Sequence, residues 1–171
     1  IKSAPEIEQL VRTVENNGGI TFIPALSGLG APFWDPHATG AIMGITRGTK
    51  KGHIARAALE SIALRSRDII LEMEKDANAK FSSLKVDGGA SKNNLLLQIQ
   101  ADLLNTKVVR PKITETTALG VAFFSGLATG FWPSISSIRD MWQEDQTFLA
   151  RSSDKTKKII SLWNSRIPKV L

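Results

Sequence analysis

The residues with the clearest chemical use lie between Leu84 and Asn94, where a short apolar run, Leu84-Lys85-Val86, passes through Asp87-Gly88-Gly89 into Ala90-Ser91-Lys92-Asn93-Asn94. Adjacent glycines let a backbone come close to a ligand where a Cβ would collide, and they admit positive φ. A helix starting just after them presents unpaired N–H groups and the positive end of its dipole, which suits a phosphate. Asn93 then stands where an amide can reach a sugar or the edge of a base. Gly-Gly between a strand and a helix is equally the ordinary chemistry of a tight turn, so the stretch reads either as a ligand contact or as a structural connection. It matches neither G-x-G-x-x-G nor a Walker A loop, which sets aside the Rossmann and P-loop schemes.

No catalytic constellation accompanies it. The two histidines, His37 and His53, show no H-E-x-x-H or other metal-ligand spacing, and cysteine is absent, so neither a zinc site nor a disulfide scaffold is expected. His53, at the start of a long helical pattern, reads as a packing or capping residue. No serine lies in G-x-S-x-G. Asp35, Glu60, Asp87 and Glu115 have the chemistry of a general base or a magnesium ligand, but each also has a plain turn, helix-surface or cap reading, and that reading is favoured.

A length of 171 residues with 42% apolar and 22% charged content describes a globular chain able to bury a core, best read as one domain over residues 1–171. The net charge of +6 is scattered, with a small excess at Lys155, Lys157 and Lys158, so a solvated surface is favoured over nucleic-acid binding. No apolar span approaches 20 residues and no signal-like start is seen, which makes the cytoplasm the default expectation.

Periodicity predicts a short helix from Pro5 to Asn17, a strand at Ile20–Pro24, a Gly/Pro-rich loop to Gly40 and a strand over 41–48. A long helix follows from Lys51 to Asp76. Ile54, Ala58, Ile62, Ile69 and Met73 mark its expected core face, Ala57 and Ala63 sit beside that face, and Arg56 and Glu60 pair on the surface. Ser91 is the expected N-cap of a helix reaching Asn105, apolar over a wide arc and therefore sandwiched. A strand at Lys107–Arg110 and a helix at Thr116–Ala128 come next, with Gly120, Ala122 and Gly126 expected to permit tight packing. Helices opening at Ser134 and running from Ser153 to Ser165 complete the series. Such an order describes an α/β layer domain with a mostly parallel or mixed sheet, in which ligands collect at the carboxyl ends of strands.

Longer motifs then add a resemblance. Gly40-x-Ile42-x-Gly44-Ile45 followed by His53-Ile54-Ala55-Arg56-Ala57-Ala58-Leu59-Glu60 is similar to the C-terminal signature of the FGGY carbohydrate kinases. Val86-Asp87-Gly88-Gly89 with Asn93 resembles their adenosine motif, and Thr117-Ala118-Leu119-Gly120-Val121-Ala122 their next helix. Pro24-Ala25-Leu26-Ser27-Gly28-Leu29-Gly30-Ala31-Pro32-Phe33-Trp34-Asp35 and Gly126-Leu127-Ala128-x-Gly130-Phe131-Trp132 resemble the glycerol kinase branch. The resemblance spans about residues 19 to 150 and fades in the tail 151–171, where some bacterial members bind a regulatory protein.

It implies a ribonuclease-H-like, actin-like ATPase lobe, a mixed sheet flanked by helices, forming the C-terminal half of a cleft in which ATP phosphorylates glycerol with Mg2+ bridging the phosphates. It also implies Gly89 and Asn93 as contacts to the adenosine end, with Asp87 and Gly88 shaping the turn. The catalytic aspartate, the glycerol contacts and the phosphate loops are expected in the other lobe, which leaves this chain without kinase activity alone. A homo-oligomer is expected. Another FGGY sugar kinase, or a nonenzymatic actin-like nucleotide-binding or scaffold module, is the alternative.

Overall fold

A computed structural model describes residues 3, 6–151 and 153–171. Helix α1 (Glu6–Val11) is followed by β1 (Thr21–Ile23) and β2 (Ala41–Met43), an antiparallel pair with Phe22 opposite Ile42. Then come the long α2 (Lys51–Asp76), β3 (Ser83–Lys85), a one-turn 3-10 helix (Gly89–Lys92), α3 (Asn94–Leu104) and β4 (Lys107–Pro111). The remainder is α4 (Thr116–Ala128), α5 (Ile135–Arg139), β5 (Glu144–Phe148), α6 (Asp154–Arg166) and a closing 3-10 turn (Ile167–Lys169). Strands β3 and β4 are parallel and β5 is antiparallel to β4, so this three-stranded sheet is mixed, as expected.

Helix α1 is shorter than the predicted Pro5–Asn17; Pro5 lies outside the described residues, and the C-terminal end is cut by asparagines. Asn16 Oδ1 accepts the Gly18 N–H at 2.8 Å and Asn17 Oδ1 the Gly19 N–H at 2.9 Å, the local turn bonding that competes with a helix. The strand expected over 41–48 stops at Met43. Strand β5 escaped sequence reading because Glu-Asp-Gln-Thr-Phe buries only Phe148; backbone pairing to β4, not an apolar pattern, makes it a strand.

Helix α2 turns a different face inward from the one expected. Ala55, Leu59, Ala63 and Leu64 are buried against Ile23, Leu96, Leu103 and Trp163, whereas Ile62, Ile69 and Met73 are exposed. The small side chains let neighbouring backbones approach closely, and that contact outweighs the size of the β-branched residues on the other face. His53 caps this helix as read: its Nδ1 accepts the Lys50 N–H at 3.2 Å.

Helix α3 is sandwiched as predicted. Its Leu96, Ile99 and Leu103 join the larger core, while Leu97 and Ala101 pack on Val108 and Phe148 beneath the mixed sheet. At the far end of the chain Trp163 is fully buried, and its Nε1–H donates to Asp68 Oδ2 at 3.0 Å, tying α6 to α2. Of the small residues in α4 only Gly126 is packed, under the ring of Trp132; Gly120 faces open space and Ala122 is exposed.

Candidate functional site

Strand β3 delivers the chain to Asp87. Val86 N–H donates to Val109 O at 3.0 Å, and Gly88 N–H donates to Thr114 O at 2.8 Å, so both ends of the turn are pinned to the segment around β4. Gly88 holds φ +74, a conformation that L side chains rarely adopt. Positive φ thus belongs to the first glycine and not to Gly89. The Asp87 carboxylate accepts the Thr116 hydroxyl, linking the turn to the first residue of α4. Asp87 therefore shapes the turn.

Within the 3-10 turn, Ser91 N–H and Oγ–H both donate to Gly88 O, at 3.2 and 2.7 Å. Ser91 is consequently not the N-cap of α3. That position belongs to Asn93, in extended conformation, whose Oδ1 accepts the Leu96 N–H at 2.9 Å. Capping takes the amide oxygen and leaves Nδ2, which has no partner among the described residues. Asn is an intrinsically strong N-cap, so local chemistry already allowed this assignment.

Gly89 is unlike its neighbour. It needs no positive φ, and an added Cβ would meet no atom within 4 Å beyond its chain neighbours. Neither backbone strain nor internal packing requires a glycine there, and the space beside it is open. Next to the turn, a cleft of about 390 Å³ runs between the exposed Ile62 and Ile69 of α2 and Val86, Asp87, Ala90 and Ser91.

Of the other carboxylates considered, Asp35 caps its own loop, accepting His37 N–H at 2.7 Å and Ala38 N–H at 3.1 Å. Glu115 is exposed and lies 3.8 Å from Lys92 Nζ. Glu60 departs from the expected surface pair: it is 2% exposed and accepts both Arg56 Nε–H at 2.9 Å and Asn17 Nδ2–H at 2.8 Å. Burial raises its pKa above the ordinary carboxylate range, against the lowering effect of Asn17 and Arg56. Burial likewise raises Asp68, opposed by Trp163 and Arg65. Among the described residues no three His, Asp or Glu side chains gather to hold a metal ion.

One contributor was invisible in the sequence. Arg110 of β4 donates through Nη1 to Ser91 O at 2.9 Å and to Asn94 Oδ1 at 2.7 Å, while Nε–H reaches Asp145 Oδ2 at 2.8 Å. Nothing in the local pattern distinguishes it from any other charged strand residue.

The description "FGGY family of carbohydrate kinases, C-terminal domain" fits residues 3–129. A glycerol kinase of Saccharolobus islandicus (strain M.14.25 / Kamchatka #1) is 51% identical over 172 residues, covering 100% of this chain and 34% of that protein. A glycerol kinase of Nitratidesulfovibrio vulgaris (strain DP4) is 54% identical over 168 residues, 98% of this chain and 34% of its own length. Among solved structures, Plasmodium falciparum glycerol kinase with ADP superposes with a TM-score of 0.87 at 35% identity, over 100% of this chain and 34% of that one. Gluconate kinase from Lactobacillus acidophilus superposes with a TM-score of 0.79 at 24% identity, over 98% of this chain and 34% of that one, a likeness of fold. The chain thus spans about a third of the length of the relatives it matches, and the match to the S. islandicus protein runs through the tail beyond residue 150.

Proposed function

This chain belongs to the FGGY family of carbohydrate kinases as its C-terminal domain, and from that premise we propose that it is the nucleotide-binding lobe of an ATP-dependent glycerol kinase. The whole protein transfers the γ-phosphoryl group of ATP to glycerol, giving glycerol 3-phosphate. The observation that carries glycerol over the sugars is identity: 51% and 54% to glycerol kinases along nearly the whole chain.

In this reading residues 1–171 form one lobe, and Gly89 and Asn93 take the adenosine end of the nucleotide. The geometry fits that group. Gly89 leaves room for it, and Asn93 keeps an amide donor whose direction is held by the capping bond of its oxygen. Gly88 and Asp87 set the path of the turn, through the positive φ of one and the Thr116 contact of the other. Mg2+ would enter with the ATP phosphates, and the residues that would hold it, the general base and the glycerol contacts belong to the other lobe. Phosphoryl transfer depends on positioning and charge stabilisation, and this lobe contributes positioning. Taken alone the chain is inactive.

The test is Gly89→Val in the whole protein. A β-branched side chain fills the open space, and the expected outcome is a nucleotide constant raised at least tenfold, about 1.4 kcal/mol, with the glycerol constant little changed. Asn93→Asp keeps the capping oxygen and loses the donor, so it should raise the nucleotide constant several-fold with an unchanged Tm. Turnover at saturating ATP falls less than either binding constant. Folded variants with wild-type nucleotide constants would make the turn structural and the site assignment wrong. Glycerol-dependent ADP release by the isolated chain, free of host kinase, would overturn the lobe reading.

A further inference from the structure

We propose that Arg110 is a positioning residue for nucleotide, a reading that rests on the adenosine site assigned above. One guanidinium joins three separate segments. On one side it holds β5, through Asp145 Oδ2 at 2.7 Å from Nη2 and Gln146 Oε1 at 3.1 Å. On the other, Nη1 donates to the carbonyl oxygen of Ser91, within the 3-10 turn, at 2.9 Å and to Oδ1 of Asn94, the first residue of α3, at 2.7 Å. Its side chain is 13% exposed, and it lies over the ring of Phe148 at 5.7 Å.

The turn that carries Gly89 and Asn93 is thus held from both ends by different means. Backbone bonds from Val86 and Gly88 fix its entry, and the Arg110 guanidinium fixes its exit. Asn93 lies between the two residues that Arg110 grips, so the direction of its free amide depends on that grip. A planar fork of five donors can hold Asp145, Ser91 and Asn94 together; a lysine ammonium cannot span the same set. Arg110 touches no nucleotide in this scheme and acts through the turn.

The experiment compares nucleotide and glycerol constants in the whole protein for Arg110→Met, Asn94→Ala and Asp145→Asn, with Gly89→Val alongside. Arg110→Met should raise the nucleotide constant about tenfold and Asn94→Ala about threefold, with glycerol constants and saturated turnover within about twofold of wild type. Asp145→Asn leaves the turn contacts in place and should change the nucleotide constant by less than about twofold. If Arg110→Met does not fold, Asn94→Ala carries the test, because it loosens the turn while Arg110 stays bound to β5. Equal losses in both constants, or an unchanged nucleotide constant in the folded Arg110 or Asn94 variants, overturn the proposal. An unaffected Gly89→Val would instead condemn the adenosine site itself, and the two failures are therefore distinguishable.

Discussion

Glu60 shows how much a single carboxylate changes meaning with its surroundings. Four residues from Arg56 on a helix, it has the spacing of a surface pair worth a few tenths of a kcal/mol. Buried to 2% exposure with Asn17 as a second donor, it is instead an ion pair taken out of water. Burial raises its pKa in the folded protein, so the folded state binds the proton more tightly than the unfolded chain does. The stability from this group is fully present below the ordinary carboxylate value and is lost as pH rises through the raised one. Glu60→Gln, which keeps the shape and an acceptor, should therefore gain on wild type as pH rises above the ordinary carboxylate range. Thermal unfolding of both proteins between about pH 4 and pH 7 checks the sign. Arg56→Met strands the charge and should cost about 3 kcal/mol, more at the upper end of that range. A Glu60→Gln difference that does not change with pH would show that the carboxylate is not the source.

Helix α4 illustrates the element scale, because its composition and its packing disagree. It is rich in apolar and small residues, yet Val121 is 63% and Phe124 77% exposed. What holds its C-terminal end is aromatic: Trp132 sits edge-on to Phe123 at 5.2 Å and to Phe131 at 5.0 Å, with its ring against Gly126. A Cβ on Gly126 would fall 2.0 Å from Trp132 Cε3, so Gly126→Ala must displace the ring, and we expect a loss of about 1–3 kcal/mol. Gly120→Ala, in open space within the same helix, should gain about 0.5–1 kcal/mol from helix propensity. Denaturant unfolding of the two variants gives opposite signs if the Trp132 contact is real. Like signs would remove it.

At the scale of the molecule several large apolar residues face solvent between α4 and β5. Phe131 is 75% exposed and Ile135 69%, both shortly after α4, and a pocket of about 410 Å³ lined by Ile113, Leu119, Phe123, Met141 and Trp142 opens among the same segments. Soluble monomers rarely leave contiguous apolar surface of this kind uncovered. We expect the isolated chain to fold, to bind a dye specific for apolar surface and to associate as its concentration rises, which light scattering detects. A monomer at high concentration with no dye binding would count against it. Phe131→Lys together with Ile135→Lys, both at exposed positions, should abolish the association without unfolding the chain.

Much of this fold is decided within short windows. The bounds of α2, α4 and α6, the N-cap at Ser153, the stop after Ala128 and the strand–Gly-Gly–helix connection all follow from caps, breakers and periodicity, interactions between residues at most a few positions apart. The tertiary structure decided everything that depends on distant partners. Buried Glu60 takes a hydrogen bond from Asn17, 43 residues away, and β5 is a strand because β4 offers it a ladder. Arg110 meets Asn94 and Ser91 across 16 and 19 positions and Asp145 across 35. Periodicity says that α2 has an apolar stripe, but only packing chooses between a stripe of alanines that permits close approach and one of larger side chains left facing solvent. The glycine pair was legible as a pair; that Gly88 bears the positive φ while Gly89 faces open space is a property of the backbone path that the folded chain imposes.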